Sequence, residues 1–254
     1  MDNSISTVIK AELTAPIQGH DHFLADLAKS LSGGRMHHAW LLIGPVGIGK
    51  ASMARLAATW LLSEQARPGA SGSMGCPNAT VDDGDSGASL VLKGAHPDYK
   101  LISPLAEDNK SGQIKIDQIR ELLPFMMHKP ARGGWRVAII DSMDDVNPSG
   151  ANALLKLLEE PPEKAVLFLI ASHTGYMPPT IRSRCRLVRM TRLPSDACMS
   201  VLSRVLPDID TNRLEILGKL STGAPGQAVK LAQSGSADLY EAACALLQST
   251  PLDQ

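Results

Sequence analysis

The sequence predicts an α/β protein with a parallel five-stranded sheet, followed by a small all-helical domain. Apolar runs of strand character alternate with segments of helical spacing, a pattern typical of parallel strands joined by crossover helices. The first apolar run leads into a glycine-rich turn that precedes a helix. Strand signals then stop after about residue 192, so we expect an α/β domain over 1–192 and a helical domain over 193–254.

The N-terminal part of the chain predicts two strands, one helix and an insertion. HAWLLIG (38–44) is a short apolar run, and KASMARLAATWLLS (50–63) follows it with helical spacing. Residues 67–96 are rich in glycine, serine and aspartate, which predicts a long, mobile insertion. DYKLIS (98–103) then has the character of a second strand.

Two helices and three strands complete the predicted α/β domain. IDQIRELLPFMMHK (116–129) places its apolar residues on one stripe, as an amphipathic helix does. In the segment 147–160, Asn147 is placed to cap a helix and Pro148 suits its first turn. The remaining strands are predicted at RVAIID (136–141), AVLFLIAS (165–172) and RLVRM (186–190).

Beyond residue 192 the chain has only helical segments, separated by proline and glycine. The four predicted helices cover 195–206, 211–221, 226–233 and 237–248.

Composition excludes several classes of protein. The formal net charge of -1 does not favour a protein that grips nucleic acid alone. No apolar run reaches the roughly 18 residues of a membrane span, and the N-terminus lacks the pattern of an export signal. The cysteines lack C-x-x-C spacing, so we expect reduced thiols and a cytoplasmic protein. They are Cys76, Cys185, Cys198 and Cys244.

The segment LLIGPVGIGKAS (41–52) nearly matches a phosphate-binding loop. Gly44, Gly47, Gly49 and Lys50 are the candidate nucleotide-binding residues, because a glycine-rich turn before a helix directs backbone N–H groups and positive charge at a phosphate. Ala51 stands where the pattern requires the hydroxyl that helps hold Mg²⁺. A tight turn without a ligand is the alternative.

Asp141 is the candidate for the second nucleotide element. It ends an apolar strand, where P-loop ATPases place a metal-holding aspartate, but the next residue is Ser142 rather than a glutamate that positions water. A simple strand-end aspartate is an equally ordinary interpretation. The defects at Ala51 and Ser142 together argue against efficient hydrolysis.

Five arginines lie within TIRSRCRLVRMTR (180–192), and for most of them a solvated polar surface is the simpler interpretation. Arg189 and Arg192 in particular are interpreted as solvated charges. Arg184 is the candidate for another role, since an arginine supplied across an interface stabilises the charge on a transferred phosphoryl group. The five are Arg182, Arg184, Arg186, Arg189 and Arg192.

Several motifs together resemble the clamp-loader family of AAA+ proteins: HAWLLIGPVGIGK, HPDY, ANALLKLLEEPP and TIRSRCR. The resemblance implies an AAA+ P-loop core with a helical lid domain. It also implies that Ser183, Arg184 and Cys185 form a Ser-Arg-Cys motif, whose arginine enters the ATP site of a neighbouring subunit. ATPase subunits of the loader would be partners, and the sliding clamp and primed DNA would be reached through the complex.

The chain departs from the family pattern in three places. Many family members bind zinc with four cysteines in the insertion, but here only Cys76 remains and His96 belongs to HPDY, so we expect no zinc. Gln227 stands near the position of an ATP-sensing arginine. A C-terminal collar domain is expected to be absent, since the sequence ends near the end of the helical domain.

Three functions compete on these residues. The leading hypothesis is a non-catalytic clamp-loader subunit that acts through Arg184, with no required cofactor and at most weak ATP binding. An autonomous AAA+ ATPase using Lys50 and Asp141 is the second, and a plain nucleotide-binding module is the third. The defects at Ala51, Ser142 and Gln227 favour the first.

Overall fold

Five parallel strands form a single sheet in the order β2-β3-β4-β1-β5, which confirms the predicted fold class. The computed structural model describes residues 18–63, 86–104, 112–173, 175 and 177–234. The strands are β1 (Ala39–Ile43), β2 (Tyr99–Ile102), β3 (Arg136–Asp141), β4 (Ala165–Ala171) and β5 (Arg186–Arg189). Each of the five predicted strands is therefore present.

Helices connect these strands. Those of the α/β part are α1 (Asp21–Ser32), α2 (Lys50–Leu62), α3 (Ser86–Leu92), α4 (Ile116–Met127), α5 (Pro148–Glu159) and the single turn α6 (Pro179–Arg182). The start of α5 is as predicted, because the Asn147 side chain accepts the Gly150 N–H at 2.7 Å and Pro148 occupies the first helical position.

The predicted mobile insertion over 67–96 is wrong for its C-terminal part. Residues 86–92 form α3, in which Ala88 is fully buried and Val91 nearly so. A glycine- and serine-rich composition weakened the helical signal of SGASLVL, while burial of its few apolar side chains stabilises the helix. The rest of the insertion, through residue 85, lies outside the described residues.

The core is centred on the three inner strands. Every residue of β4 is buried, as expected for a strand covered on both faces. Phe23 of α1 contacts Trp40 of β1 and Phe168 of β4 edge-on, with ring centroids 5.6 and 6.1 Å apart, and all three side chains are fully buried. This aromatic cluster fixes α1 against β4 and against β1, the strand that leads into the glycine-rich loop.

The HPDY motif is part of the scaffold. The Asp98 carboxylate accepts the N–H groups of Ala131 and Arg132 at 2.8 and 3.2 Å and a hydrogen bond from Arg136 at 2.9 Å. Arg136 also donates to two backbone carbonyls and stacks on the Phe125 ring. Asp98, directly before β2, thus binds both the loop after α4 and the first residue of β3.

The described residues divide into two compact units. One comprises the described residues of 18–44 and 50–190, and the other comprises the loop 45–49 with 191–234. The second unit contains α7 (Ser195–Val205), α8 (Thr211–Ser221) and α9 (Pro225–Gln233), which pack around Leu202, Leu217 and Ala228. The helix predicted over 237–248 lies outside the described residues.

Candidate functional site

The glycine-rich loop has the backbone geometry that its glycines allow. Gly47 and Gly49 have φ values of 84° and 98°, in the left-handed region that favours glycine. Lys50 begins α2 and is nearly buried, and its Nζ donates to the Gly44 carbonyl at 2.6 Å. Burial lowers the pKa of Lys50, against the opposing effect of Asp144 and Asp141. The ammonium therefore has an acceptor within its own chain.

Within the second unit, the loop contacts the start of α9. The Gly226 N–H donates to the Gly47 carbonyl at 2.8 Å. A Cβ added to Gly47 would lie 2.8 Å from the Gln227 nitrogen, so only glycine fits there. Gln227 thus lies against Gly47 with both its backbone nitrogen and its side-chain Cγ, and its side chain carries no charge.

Asp141, at the end of β3, forms an ion pair with Arg55 of α2. The Arg55 Nη2 and the Asp141 Oδ2 lie 3.9 Å apart, and both side chains are less than a third exposed. Burial raises the pKa of Asp141, while Arg55 and then Lys50 act in the opposite direction. The sequence interpretation missed Arg55, although its place five residues after Lys50 on the same helix was the available signal.

The acidic residues after β3 are engaged with backbone and hydroxyl groups. Asp144 accepts the Ser172 N–H at 2.7 Å and the Ser142 hydroxyl at 3.2 Å, and His173 lies 3.7 Å from it. Ser142 in turn accepts the Asp144 N–H and caps the short helical turn Met143–Asp145. Ser172 and His173, which directly follow β4, were not among the site residues predicted from the sequence.

These residues do not fit a magnesium–nucleotide complex. Ala51 supplies no hydroxyl, and the carboxylate of Asp141 faces a guanidinium. Among the described residues, no group of three or more histidine, cysteine, aspartate or glutamate side chains could hold a metal ion. Cys76, the remaining cysteine of the insertion, lies outside them. Lys50 and Asp141 are close enough to affect each other's pKa. The set of oxygen ligands for a divalent cation is nevertheless incomplete.

Arg184 follows the single-turn helix α6 and lies at the surface. Its Nη2 is 3.0 Å from the Glu159 Oε1, and its Nη1 donates to the Thr180 carbonyl at 2.9 Å. The side chain keeps 36% of its surface exposed, enough for a ligand to reach it. None of these contacts involves Lys50 or Asp141, the two charged residues of the chain's own nucleotide motifs.

The two neighbours of Arg184 in the Ser-Arg-Cys motif hold its backbone in place. The Ser183 hydroxyl donates to the Thr180 carbonyl at 3.1 Å. Cys185 packs against the main core, and burial raises its pKa to about 12, so the thiol stays protonated. These contacts indicate a supporting role for both side chains.

Two of the remaining arginines, which we expected to be solvated charges, have partners within the chain. Arg186 stacks on the Trp40 ring and pairs with Asp26 at 2.8 Å, which links β5 to α1. Arg192 is exposed, yet it donates to the Thr222 carbonyl at 3.0 Å and to the Thr222 hydroxyl. Its interpretation as a solvated charge is therefore wrong, because the C-terminal end of α8 offers unpaired carbonyls.

Comparison with known proteins gives a family match over most of the chain. The model of a family described as DNA polymerase III, delta subunit, matches residues 19–194. DNA polymerase III subunit delta′ of Pseudomonas aeruginosa is 37% identical over 211 residues, which cover 82% of this chain and 60% of that protein. Subunit delta′ of Escherichia coli K12 is 31% identical, with 89% and 64% covered. The chain thus spans about 60% of the length of these relatives.

A solved structure supports the fold independently of sequence. The Thermotoga maritima RuvB Holliday junction branch migration motor superposes with a TM-score of 0.54 at 17% identity, covering 88% of this chain and 64% of that one. At this identity the likeness shows the AAA+ fold alone. No helix within the described ranges is both long and apolar enough to cross a membrane.

Proposed function

Because the chain belongs to the DNA polymerase III delta-subunit family, with delta′ proteins among its relatives, we propose that it is a non-catalytic clamp-loader subunit. It acts as a stator-like delta′ subunit and supplies Arg184 to the ATP site of a neighbouring ATPase subunit of the gamma or tau type. The delta subunit, the sliding clamp and primed DNA are further partners, met through the complex during DNA replication in the cytoplasm.

The ion pair between Arg55 and Asp141 carries the non-catalytic part of the proposal. In a P-loop ATPase the aspartate at this strand end serves a metal ion, whereas here a guanidinium of the same chain faces it. The Lys50 ammonium likewise donates to the Gly44 carbonyl. Hydrolysis requires the Asp141 carboxylate and the Lys50 ammonium, and both are thus paired within the chain. Ala51 in addition lacks the hydroxyl that helps hold Mg²⁺.

Arg184 supplies what a neighbouring site needs. Its contacts with Glu159, Thr180 and Ser183 use only the two terminal nitrogens, so the Nε–H group is left for an acceptor outside the described residues. A guanidinium stabilises the negative charge that develops on a transferred phosphoryl group, and its planar shape suits two phosphate oxygens. The neighbour provides the nucleotide, the metal ion and the attacking water.

Steady-state ATP hydrolysis by the isolated chain tests the first half of the proposal. We expect a rate near background, because the metal-holding groups are incomplete. Turnover above about 1 s⁻¹, an ordinary enzyme rate, that disappears in Lys50→Ala would instead support an autonomous ATPase. Nucleotide binding without turnover agrees with the proposal.

Reconstitution with the ATPase subunits, the delta subunit, the clamp and primed DNA tests the second half. Arg184→Ala should leave the chain folded and lower the ATPase and clamp-loading rates of the assembly. Arg184→Lys should restore only part of the rate, because an ammonium is a point charge on a flexible stem. Arg189→Ala is the matched control, since Arg189 is an exposed arginine of the adjoining strand β5. An assembly with Arg184→Ala that matches wild type in both rates would refute the trans role.

A further inference from the structure

We propose that Glu159 is a positioning residue for Arg184, holding the guanidinium in the orientation in which it meets the neighbour's phosphates. The inference rests on the proposed function and adds a second residue to it. Glu159 belongs to LLEEPP and Arg184 to the Ser-Arg-Cys motif, and the fold brings these two motifs into contact at the surface.

The guanidinium is held at two points. The Glu159 carboxylate contacts Nη2 at 3.0 Å, and the Thr180 carbonyl accepts from Nη1 at 2.9 Å. Because the guanidinium is planar, two fixed terminal nitrogens determine the direction of the remaining Nε–H group. Without the carboxylate, only one terminal nitrogen keeps a strong acceptor, and the group can rotate about that contact.

The backbones on both sides of the ion pair are anchored in the core. Leu158, which precedes Glu159, is 2% exposed, and Ile181 of α6 is fully buried in the same apolar cluster. Cys185 packs on that cluster directly after Arg184. The freedom that remains belongs to the two long side chains, and the ion pair restricts it together with the hydrogen bond from Arg184 to the Thr180 carbonyl.

The position of Glu159 does not favour a role in stability. It is the last residue of α5, where the negative end of the helix dipole disfavours a carboxylate. Its side chain is 50% exposed, and ion pairs at such exposure contribute little to folding. The carboxylate is thus better explained by its effect on Arg184 than by its effect on the helix.

The test is steady-state ATP hydrolysis by the reconstituted clamp loader. Glu159→Ala should lower kcat by about twofold to tenfold, the effect expected when one long side chain loses its fixed orientation. The KM for ATP should change little, because the arginine acts on the charge of the transition state. Glu159→Gln keeps an acceptor oxygen and should fall between Glu159→Ala and wild type. Glu160→Ala, at the exposed neighbouring glutamate, should match wild type.

A double-mutant cycle separates positioning from a general structural effect. Once Arg184 is alanine, adding Glu159→Ala should cause no further loss, and thermal unfolding of the chain should be unchanged by either substitution. If Arg184→Ala itself matches wild type, the proposed function fails. If Arg184→Ala is slow but Glu159→Ala is as fast as wild type or faster, or if the two losses multiply, only the positioning role is overturned.

Discussion

Replacing Asp98 with alanine should lower the free energy of unfolding by about 3–5 kcal/mol, the cost of leaving one partner of a buried ion pair alone. Asp98 is 1% exposed and its partner Arg136 is 7% exposed. The substitution also removes the acceptor of the Ala131 and Arg132 N–H groups. Arg136 keeps its two carbonyl acceptors and the Phe125 ring, so the loss should stay within this range.

Thermal unfolding followed by circular dichroism measures this effect. For a domain of this size, about 2–4 °C of Tm accompanies each kcal/mol, so the main transition should fall by roughly 6–20 °C. Asp98→Asn keeps an acceptor oxygen and should lose less. Glu121→Ala, which lies in the middle of α4 and breaks the exposed pair with Lys100, is the control and should leave Tm nearly unchanged. A shift below about 2 °C for Asp98→Ala would refute the structural role assigned to HPDY.

Two further substitutions should change the stability of the fold in opposite directions. Gly223→Ala should destabilise the helical unit by at least about 1–3 kcal/mol, since φ is 80° and the new Cβ would lie 2.4 Å from the Leu193 carbonyl oxygen; Gly134→Ala, where a Cβ meets open space, is the control for chemical denaturation. Asp141→Asn should raise Tm at pH 7, because burial raises the pKa of Asp141 above its unfolded value. A carboxyl group with a raised pKa in the folded state destabilises the fold as the pH rises through that pKa, so the Tm gain of Asp141→Asn over wild type should vanish as the pH falls toward about 4. An equal Tm gain at pH 7 and at pH about 4 would contradict this origin.

The strands and the main helices could be predicted because their signals are local. AVLFLIAS and the VAII segment of RVAIID are short apolar runs typical of a strand covered on both faces, and Asn147-Pro148 marks the start of α5. Helix α3 was missed because SGASLVL has too few apolar residues to show a period. Its stability comes from burial of those residues against the rest of the fold, which no local pattern reports.

The candidate site was predictable in its residue types and not in its partners. The missing hydroxyl at Ala51 follows from motif spacing, and the candidate arginine at Arg184 follows from the resemblance to the Ser-Arg-Cys motif. The contacts of Asp141 with Arg55 and of Arg184 with Glu159 join residues far apart in sequence. Charged side chains of this kind carry no periodic signal, so their pairing depends on the packing of the strands and helices that hold them.

The proposal that Arg184 acts at a neighbour's ATP site is tested by two variants of this chain, Lys50→Met and Arg184→Ala. Each is placed in the reconstituted, DNA-stimulated clamp loader, and the rate of ATP hydrolysis is compared with wild type. Lys50→Met disables the chain's own loop, and Arg184→Ala removes the group that we propose acts at the neighbour's ATP site. We expect a rate near wild type for Lys50→Met and a much slower rate for Arg184→Ala. The opposite order, with Lys50→Met slow and Arg184→Ala unaffected, would show that this chain hydrolyses ATP itself.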